Sequence, residues 1–406
     1  MSAIDNPSAS AEIAEGKRNV LILSGCQALS MTGSSLVFAV CVLAGQYLAD
    51  DKSLATLPLA LQFTGTMLTT IPASLFMGKF GRRVGFTLGQ CLGIFGAVLA
   101  AYAIYRQDFW LFAAASALLG AHNAFWQYYR FAAADTASEE YKAKAISYVM
   151  AGGVFAAVAG PQLAKWSVDM LSPVLFAGGY VVIICLSMLT ILLLQAIRIP
   201  KPKSVGISSR GRPLRVIMRQ PVFIVAVMSG MFGYGVMTLV MTATPLAMKF
   251  CGFDFFDTAT IIQWHALAMF APSFITGHLI KKFGVLNIIL TGTLLYAASM
   301  AANLMGIDFL NFWGGLVLLG LGWNFMFVGG TTLLTEAYRA EEKSKVQAVN
   351  DFLVFGTVAI ASFSSGALQN TFGWSAVNAA ITLPICLAFA VVVWFRLVHT
   401  PEKGPA

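Results

Sequence analysis

Apolar runs of roughly 20 to 28 residues alternate with short polar punctuation along the 406 positions of the chain. Each run is long enough to cross a hydrocarbon layer of about 30 Å. Twelve can be marked, at about 20–48, 55–78, 84–105, 109–132, 145–168, 173–197, 220–248, 257–280, 285–305, 309–334, 346–370 and 374–397. Lipid offers no partner to a free backbone N–H or C=O, so such spans fold as helices. The predicted fold class is therefore an all-α membrane protein with twelve transmembrane helices. Composition agrees: 58% of the residues are apolar and 11% charged, against about 25% charged in soluble domains.

The net charge of +8 would suggest nucleic acid in a soluble protein, but its placement excludes that reading. Lys17 and Arg18 precede the first span, Lys79, Arg82 and Arg83 follow the second, and Lys142 and Lys144 follow the fourth. Between spans six and seven lie Arg198, Lys201, Lys203, Arg210, Arg212, Arg215 and Arg219. The opposite loops carry mainly aspartates, at 50, 51, 108, 169, 254, 257 and 308. Cationic loops stay on the cytoplasmic side, so both termini are expected in the cytoplasm. The polar segment 1–19 reads as a disordered cytoplasmic tail rather than a signal peptide, because the apolar run after it is too long for a signal core. The six cysteines show no metal-ligand or CxxC spacing.

The stretch RIPKPKSVGISSRGRPLRVIMRQP is basic and rich in Pro, Gly and Ser, as a linker should be. It divides the chain into a six-helix bundle at 20–197, a cytoplasmic linker at 198–219, a second bundle at 220–397 and a tail at 398–406. The halves repeat one another at an offset of about 200 residues. GAHNAFW leads to Asp135 and EEYKAK in the first; GWNFMF leads to Glu336 and AEEKSK in the second. KFGRR (79–83) is echoed by KKFG (281–284). These motifs resemble the major facilitator superfamily, whose loop after the second helix reads roughly G-x-L-a-D-R-x-G-R-R. The first half keeps Lys79, Gly81, Arg82 and Arg83, and the second keeps Gly277, Leu279, Lys282 and Gly284. Gly78 and Lys281 stand where the pattern has its acid, which removes the usual loop-to-helix ion pair. The resemblance covers essentially the whole chain. It implies two six-helix bundles around a cavity that opens alternately to either face.

A fold does not name a substrate, so cavity residues must. No Asp or Glu stands in the middle of a span, although proton relays and cation sites in membranes rely on such carboxylates. Arg83, Arg130, Asp135, Glu336, Arg339 and Asp351 cluster near cytoplasmic span ends and are candidates for inner-gate ion pairs. Met237 and Met241 are four apart on span seven, and His265 and Met269 four apart on span eight. Residues i and i+4 share a helix face. At about 1.5 Å per residue, Met237 and His265 both fall roughly 10 Å below the outer edge, and the four make a stair toward the midplane. Thioether with imidazole selects soft metals, Cu(I) above all, and a neutral thioether can release its ion again. Packing is the alternative, since Met commonly fills irregular apolar gaps. Chance alone supplies about 0.7 MxxxM and about 0.2 HxxxM pairs in a chain of this composition.

MxxxM on the seventh helix with HxxxM on the eighth is similar to the signature of CcoA-type copper importers of the CalT family. That resemblance implies that Met237, Met241, His265 and Met269 carry copper inward for cbb3-type cytochrome oxidase assembly. Copper is then the transported substrate, and no cofactor is held permanently. The same branch contains transporters that lack the metal motifs and are associated with riboflavin. Expected partners are the copper ion and the lipid bilayer, with a copper chaperone or a thiol oxidoreductase; the chain is expected to be a monomer that binds no nucleic acid.

Second candidates carry two readings each. Tyr234, one turn below Met237, lines the path or anchors the helix. Met67 on span two and His122 on span four complete the ligand set from the first half, or His122 hydrogen-bonds Asn123 or Gln127. Cys41 and Cys251 form a thiol relay or are independent thiols. Gly230, Gly233 and Gly235 with Pro245 allow span seven to bend or its neighbours to approach closely. The competing substrate reading is a flat polar solute such as a flavin, served by Asn123, Trp126, Gln127, Tyr128, Trp323 and Asn324. Drug efflux and a copper-binding sensor or assembly factor stand behind it. No GxxxxGK[ST] phosphate loop occurs, and no enzymatic activity is expected.

Overall fold

The computed structural model describes residues 7–136, 142–199, 211–339 and 342–399. Regular structure among them is entirely helical. In the first part of the chain the helices are α1 (Pro7–Leu48), α2 (Leu57–Phe80), α3 (Arg82–Arg106), α4 (Phe109–Trp126), α5 (Tyr129–Thr136), α6 (Lys142–Ser167) and α7 (Ala177–Gln195). After them come the short α8 (Leu214–Met218), then α9 (Pro221–Phe250), α10 (Phe255–Phe270), α11 (Ser273–Phe283), α12 (Val285–Leu304), α13 (Phe309–Leu334), α14 (Lys343–Ala380) and α15 (Thr382–His399).

Eight helical stretches are long and apolar enough to cross a bilayer. One of them, residues 345–398, has length for two crossings and turns at Gly373, whose φ is +80°. The other three crossings are interrupted or less apolar. Span four is α4, a turn at residues 127–128, and α5; span five is α6; span eight is α10 and α11, broken at Ala271–Pro272. Leu68, Phe95 and Leu294 stand exposed in mid-helix, a pattern that suits lipid and not water. Tyr105, Trp110 and Trp166 are exposed near helix ends, where amphipathic rings settle at a membrane interface.

Residues 7–19 are helical, contrary to the disordered tail expected there. The run SASAEIAE is rich in Ala and Glu, strong helix formers that extend the first span backwards. The loop aspartates do local work: Asp108 Oδ1 accepts from Leu111 N at 3.0 Å, and Asp254 Oδ1 from Asp257 N at 2.8 Å, capping α4 and α10. Gly81 and Gly284 take φ of +96° and +86°, a conformation that requires glycine in both repeated KFG loops.

Two compact units emerge, one of residues 1–50 and 57–206, the other of 51–56 and 207–406. In the first, α1 packs on α6 and α7, α2 on α4, and α3 on α4 and α7. A buried polar knot ties it together: Gln90 Nε2 donates to Ser30 Oγ and to Tyr129 Oη, both at 2.9 Å. In the second, α13 is central, packing on α9, α10 and α12, while α9 also packs on α14.

Candidate transport site

The second unit buries all four metal candidates. Met237, Met241, His265 and Met269 lie at 7% exposure or less. The Met pair shares one face of α9, which runs as one helix through Pro245. Of the two readings of its glycines, close approach is the one that their neighbours support. A Cβ at Gly233 would stand 3.0 Å from Met326 Cβ, and one at Gly235 would stand 2.8 Å from Thr357 Cγ2. The Tyr296 hydroxyl uses the same closeness to donate to Gly233 O.

His265 sits on α10 against α13, with Nδ1 2.8 Å from Leu316 O. A carbonyl only accepts, so Nδ1 carries the proton and Nε2 keeps its lone pair. Nε2 is buried and has no partner among the described residues. Backbone fixation of one ring nitrogen with the other left free is the arrangement that orients a metal-binding imidazole. Met269, one turn on, precedes the break at Pro272. The interruption leaves its carbonyl without a helical donor, and Asn324 Nδ2 fills that role at 2.7 Å. The same side chain donates to Ser273 Oγ at 2.7 Å and accepts from Thr276 Oγ1 at 2.6 Å. Asn324, expected to face a substrate, is thus fully buried and consumed in holding the broken helix.

Tyr234 is an aromatic hub. Its ring lies 5.4 Å from Trp323, 5.5 Å from Phe327 and 5.9 Å from Phe355. Trp323 stacks on Phe327 at 4.9 Å and 11° and meets Phe270 edge-on at 5.8 Å. The indole Nε1 of Trp323 is buried and has no partner among the described residues. The phenylalanines escaped the sequence reading because isolated Phe residues abound in apolar spans; only their convergence on Tyr234 marks them.

In the first unit His122 is 5% exposed. Its Nδ1 bonds Gly89 O at 2.9 Å, not Asn123 or Gln127 as expected. The α3–α4 contact explains this: Gly93 lacks a side chain and the ring occupies the space, so that a Cβ there would stand 2.8 Å from Nδ1, while Phe125 fills the space at Gly89. Asn123 Oδ1 instead accepts from Ser34 Oγ at 3.1 Å and Trp126 Nε1 at 3.0 Å. Met67 is half-buried on α2.

A family profile described as Major Facilitator Superfamily matches residues 23–352, and again 262–406. The chain belongs to the Major Facilitator Superfamily. It is 42% identical to the riboflavin transporter RfnT of Brucella anthropi over 392 residues, which is 96% of this chain and 98% of that one. It is also 26% identical over 401 residues to YdeG, an uncharacterized MFS-type transporter of Bacillus subtilis, covering 94% of this chain and 92% of the relative. These relatives are transporters, so this superfamily member is a membrane transporter and not an enzyme. The RfnT match does not extend the CcoA-type reading; it favours the flavin alternative.

The inner-gate candidates make the following contacts. Arg83 donates to Gln195 Oε1 at 2.6 Å, not to an acid, and Arg130 lies 4.8 Å over the Phe131 ring. Glu336 is exposed, and Asp351 accepts from Asn350 Nδ2 at 3.1 Å. The Asp135 side chain lies outside the described residues. Arg339 contributes only its backbone N–H, to Glu342 Oε2 at 3.0 Å. A charge pair that the sequence reading did not name is Arg212–Glu342, at 2.8 Å. Arg212 also donates from Nη2 to Ala337 O at 3.0 Å and accepts from Lys345 Nζ at 2.6 Å through its own carbonyl. The Arg212 side-chain hydrogen bonds to Glu342, with the Arg339 backbone N–H, hold its carboxyl well below the usual carboxylate range. No sequence spacing signals a pair 130 positions apart. Cys41 is a free, buried thiol on α1, and Cys251 is a free, half-buried thiol at the end of α9.

Proposed function

We propose that this transporter carries a neutral, flat, flavin-class solute across the bacterial inner membrane by alternating access, with both termini cytoplasmic. The observation that carries the reading is the 42% identity, spread over nearly the full length of both chains, to a riboflavin transporter. The aromatic hub supports it. Tyr234 and Trp323 offer stacking area, and the unpaired indole N–H supplies one polar contact, the mix by which apolar sites orient a ligand. The absence of mid-span carboxylates suits an uncharged cargo. Uptake of ¹⁴C-riboflavin in a bacterial strain lacking its own flavin synthesis and uptake tests this. Accumulation above the empty vector supports it; equality with the vector at verified membrane levels overturns it.

A second reading, copper import, is favoured by one specific observation: His265 keeps a buried, unpaired Nε2 one turn from Met269. A partnerless imidazole nitrogen in an apolar wall pays a desolvation penalty unless something binds it. Met237 and Met241 would add two soft donors, and copper would be cargo passed to a chaperone or thiol partner. The same strain assayed with ⁶⁴Cu separates the two. Copper uptake lost in both Met237→Ala and His265→Ala would establish this second reading.

A further inference from the structure

The first unit contains a cleft of about 300 Å³, its open mouth included, framed by α1, α2, α4 and α7. Most of that volume is the open mouth, and the enclosed part is only water-sized, so the cleft admits at most the polar edge of a larger molecule. Ser34, Gln62, His122, Asn123 and Ser187 give it a polar lining among leucine, valine and isoleucine side chains. No Lys, Arg, Asp or Glu lines it, so a charged group would find no counter-ion.

Three of those side chains hold unused hydrogen-bonding capacity. Gln62 is 1% exposed, and its Oε1 is buried with no partner; neither end of its carboxamide bonds protein among the described residues. His122 spends its N–H on Gly89 O, which leaves the Nε2 lone pair. Asn123 receives the Trp126 indole N–H, a group that only donates, so the atom at that position is Oδ1 and the NH₂ group remains available. The result is two acceptors, Gln62 Oε1 and His122 Nε2, and two amide donors, Gln62 Nε2 and Asn123 Nδ2. A buried carboxamide oxygen left without a donor is destabilising by itself, and a leucine of similar size would serve packing better. Glycines hold the assembly in place: a Cβ at Gly120 on α4 would lie 2.0 Å from Gln62 O on α2.

We propose that Gln62, with His122 and Asn123, reads the imide edge of the transported ring. An imide presents a carbonyl, an N–H and a second carbonyl in one plane. Gln62 Oε1 accepts from the N–H while the amide groups of Gln62 and Asn123 donate to the carbonyls. The isoalloxazine ring of a flavin carries such an edge at C2, N3 and C4. This assignment rests on the flavin reading above and deepens it by naming the residues that set specificity.

The test uses the full chain in the uptake strain, with N3-methylriboflavin as the discriminating probe, because methylation removes only the imide donor. Wild type should take up riboflavin with at least about tenfold preference over the N3-methyl analogue. Gln62→Leu should raise the riboflavin KM about tenfold or more and accept both compounds equally. That ratio is independent of expression level. Should Gln62→Leu fail to reach the membrane, competition against wild type decides: an N3-methyl analogue that inhibits as well as riboflavin overturns the assignment. Normal riboflavin uptake and preserved discrimination in Gln62→Leu overturn it too, while leaving the flavin reading intact. Absence of any riboflavin uptake by wild type removes both.

Discussion

Replacing Gly120 by alanine should loosen the first unit by a predictable distance. The added Cβ would lie 2.0 Å from Gln62 O, 2.8 Å from its carbonyl carbon and 3.0 Å from its Cα. Every one of these is backbone, so no rotamer change can relieve the clash. Reaching ordinary contact at 3.4 Å requires α2 and α4 to part by about 1.4 Å, the difference between 3.4 and 2.0 Å. Thr66 Oγ1 now bridges the seam at 3.0 Å from both Gln62 O and Gly120 O; after such a parting the second distance exceeds hydrogen-bonding range. Overpacking costs about 1–3 kcal/mol, and the lost bond about 1 kcal/mol. Better helix propensity returns about 1 kcal/mol. The net destabilisation is about 1–3 kcal/mol, which at about 2–4 °C per kcal/mol for a unit of this size is a drop of several degrees. Thermal unfolding of purified protein in detergent, at one scan rate, measures it. Gly314→Ala on α13 is the control, since a Cβ there meets nothing within 4 Å. The same parting should withdraw Gln62 from His122 and Asn123 and raise the substrate KM. Equal melting midpoints for Gly120→Ala and Gly314→Ala would refute the packing argument.

Three further outcomes follow from other parts of the molecule. Trp323→Ala removes the stacking surface against Tyr234 and Phe327 and should raise the riboflavin KM about tenfold or more, stacking on an aromatic being worth about 1–3 kcal/mol; Trp323→Phe should recover most of it, and equal KM values for all three proteins would count against the hub as a substrate surface. Asn324→Leu leaves the Met269 carbonyl without its donor and should destabilise the second unit by about 1–3 kcal/mol; an unchanged melting curve would show that the break at Pro272 needs no support. Glu342→Gln breaks the Arg212 pair and should lower the melting midpoint at neutral pH. The folded-state Glu342 carboxyl is depressed below its ordinary value of 4.5, so its stabilisation is full above that value and fades as pH falls beneath it. The gap between variant and wild type should therefore hold from pH 6 to 8 and shrink below about pH 4.5; a gap that widens on acidification would refute the sign.

Bilayer thickness imposes one length on every crossing, which is why the twelve runs could be marked from residues alone. Repetition made KFG at 79–81 and 282–284 readable as paired turns, and the two positive φ values are its physical cause. Substrate chemistry follows other rules. Gln62 in LPLALQFTG is one polar residue in an apolar run, and nothing local tells whether its carboxamide is satisfied. That depends on α4, which brings Gly120 against its backbone and gives its side chain no partner. Trp323 and Asn324 are adjacent in sequence and do opposite things: one leaves its polar atom idle beside Tyr234, the other spends every hydrogen bond on the break at Pro272. Met237, Met241, His265 and Met269 were conspicuous because i, i+4 spacing compresses a pair into one short motif. Gln62 on α2 and the His122–Asn123 pair on α4 lie about 60 positions apart and have no such spacing. Short motifs therefore draw attention toward chemistry that one or two helices can present, while a flat organic solute is read by many helices at once. The idle carboxamide of Gln62 and the idle imidazole nitrogen of His265 are equivalent in this respect: each is a buried polar atom whose persistence calls for a ligand, and the cargo that silences one of them in an uptake assay assigns the transporter.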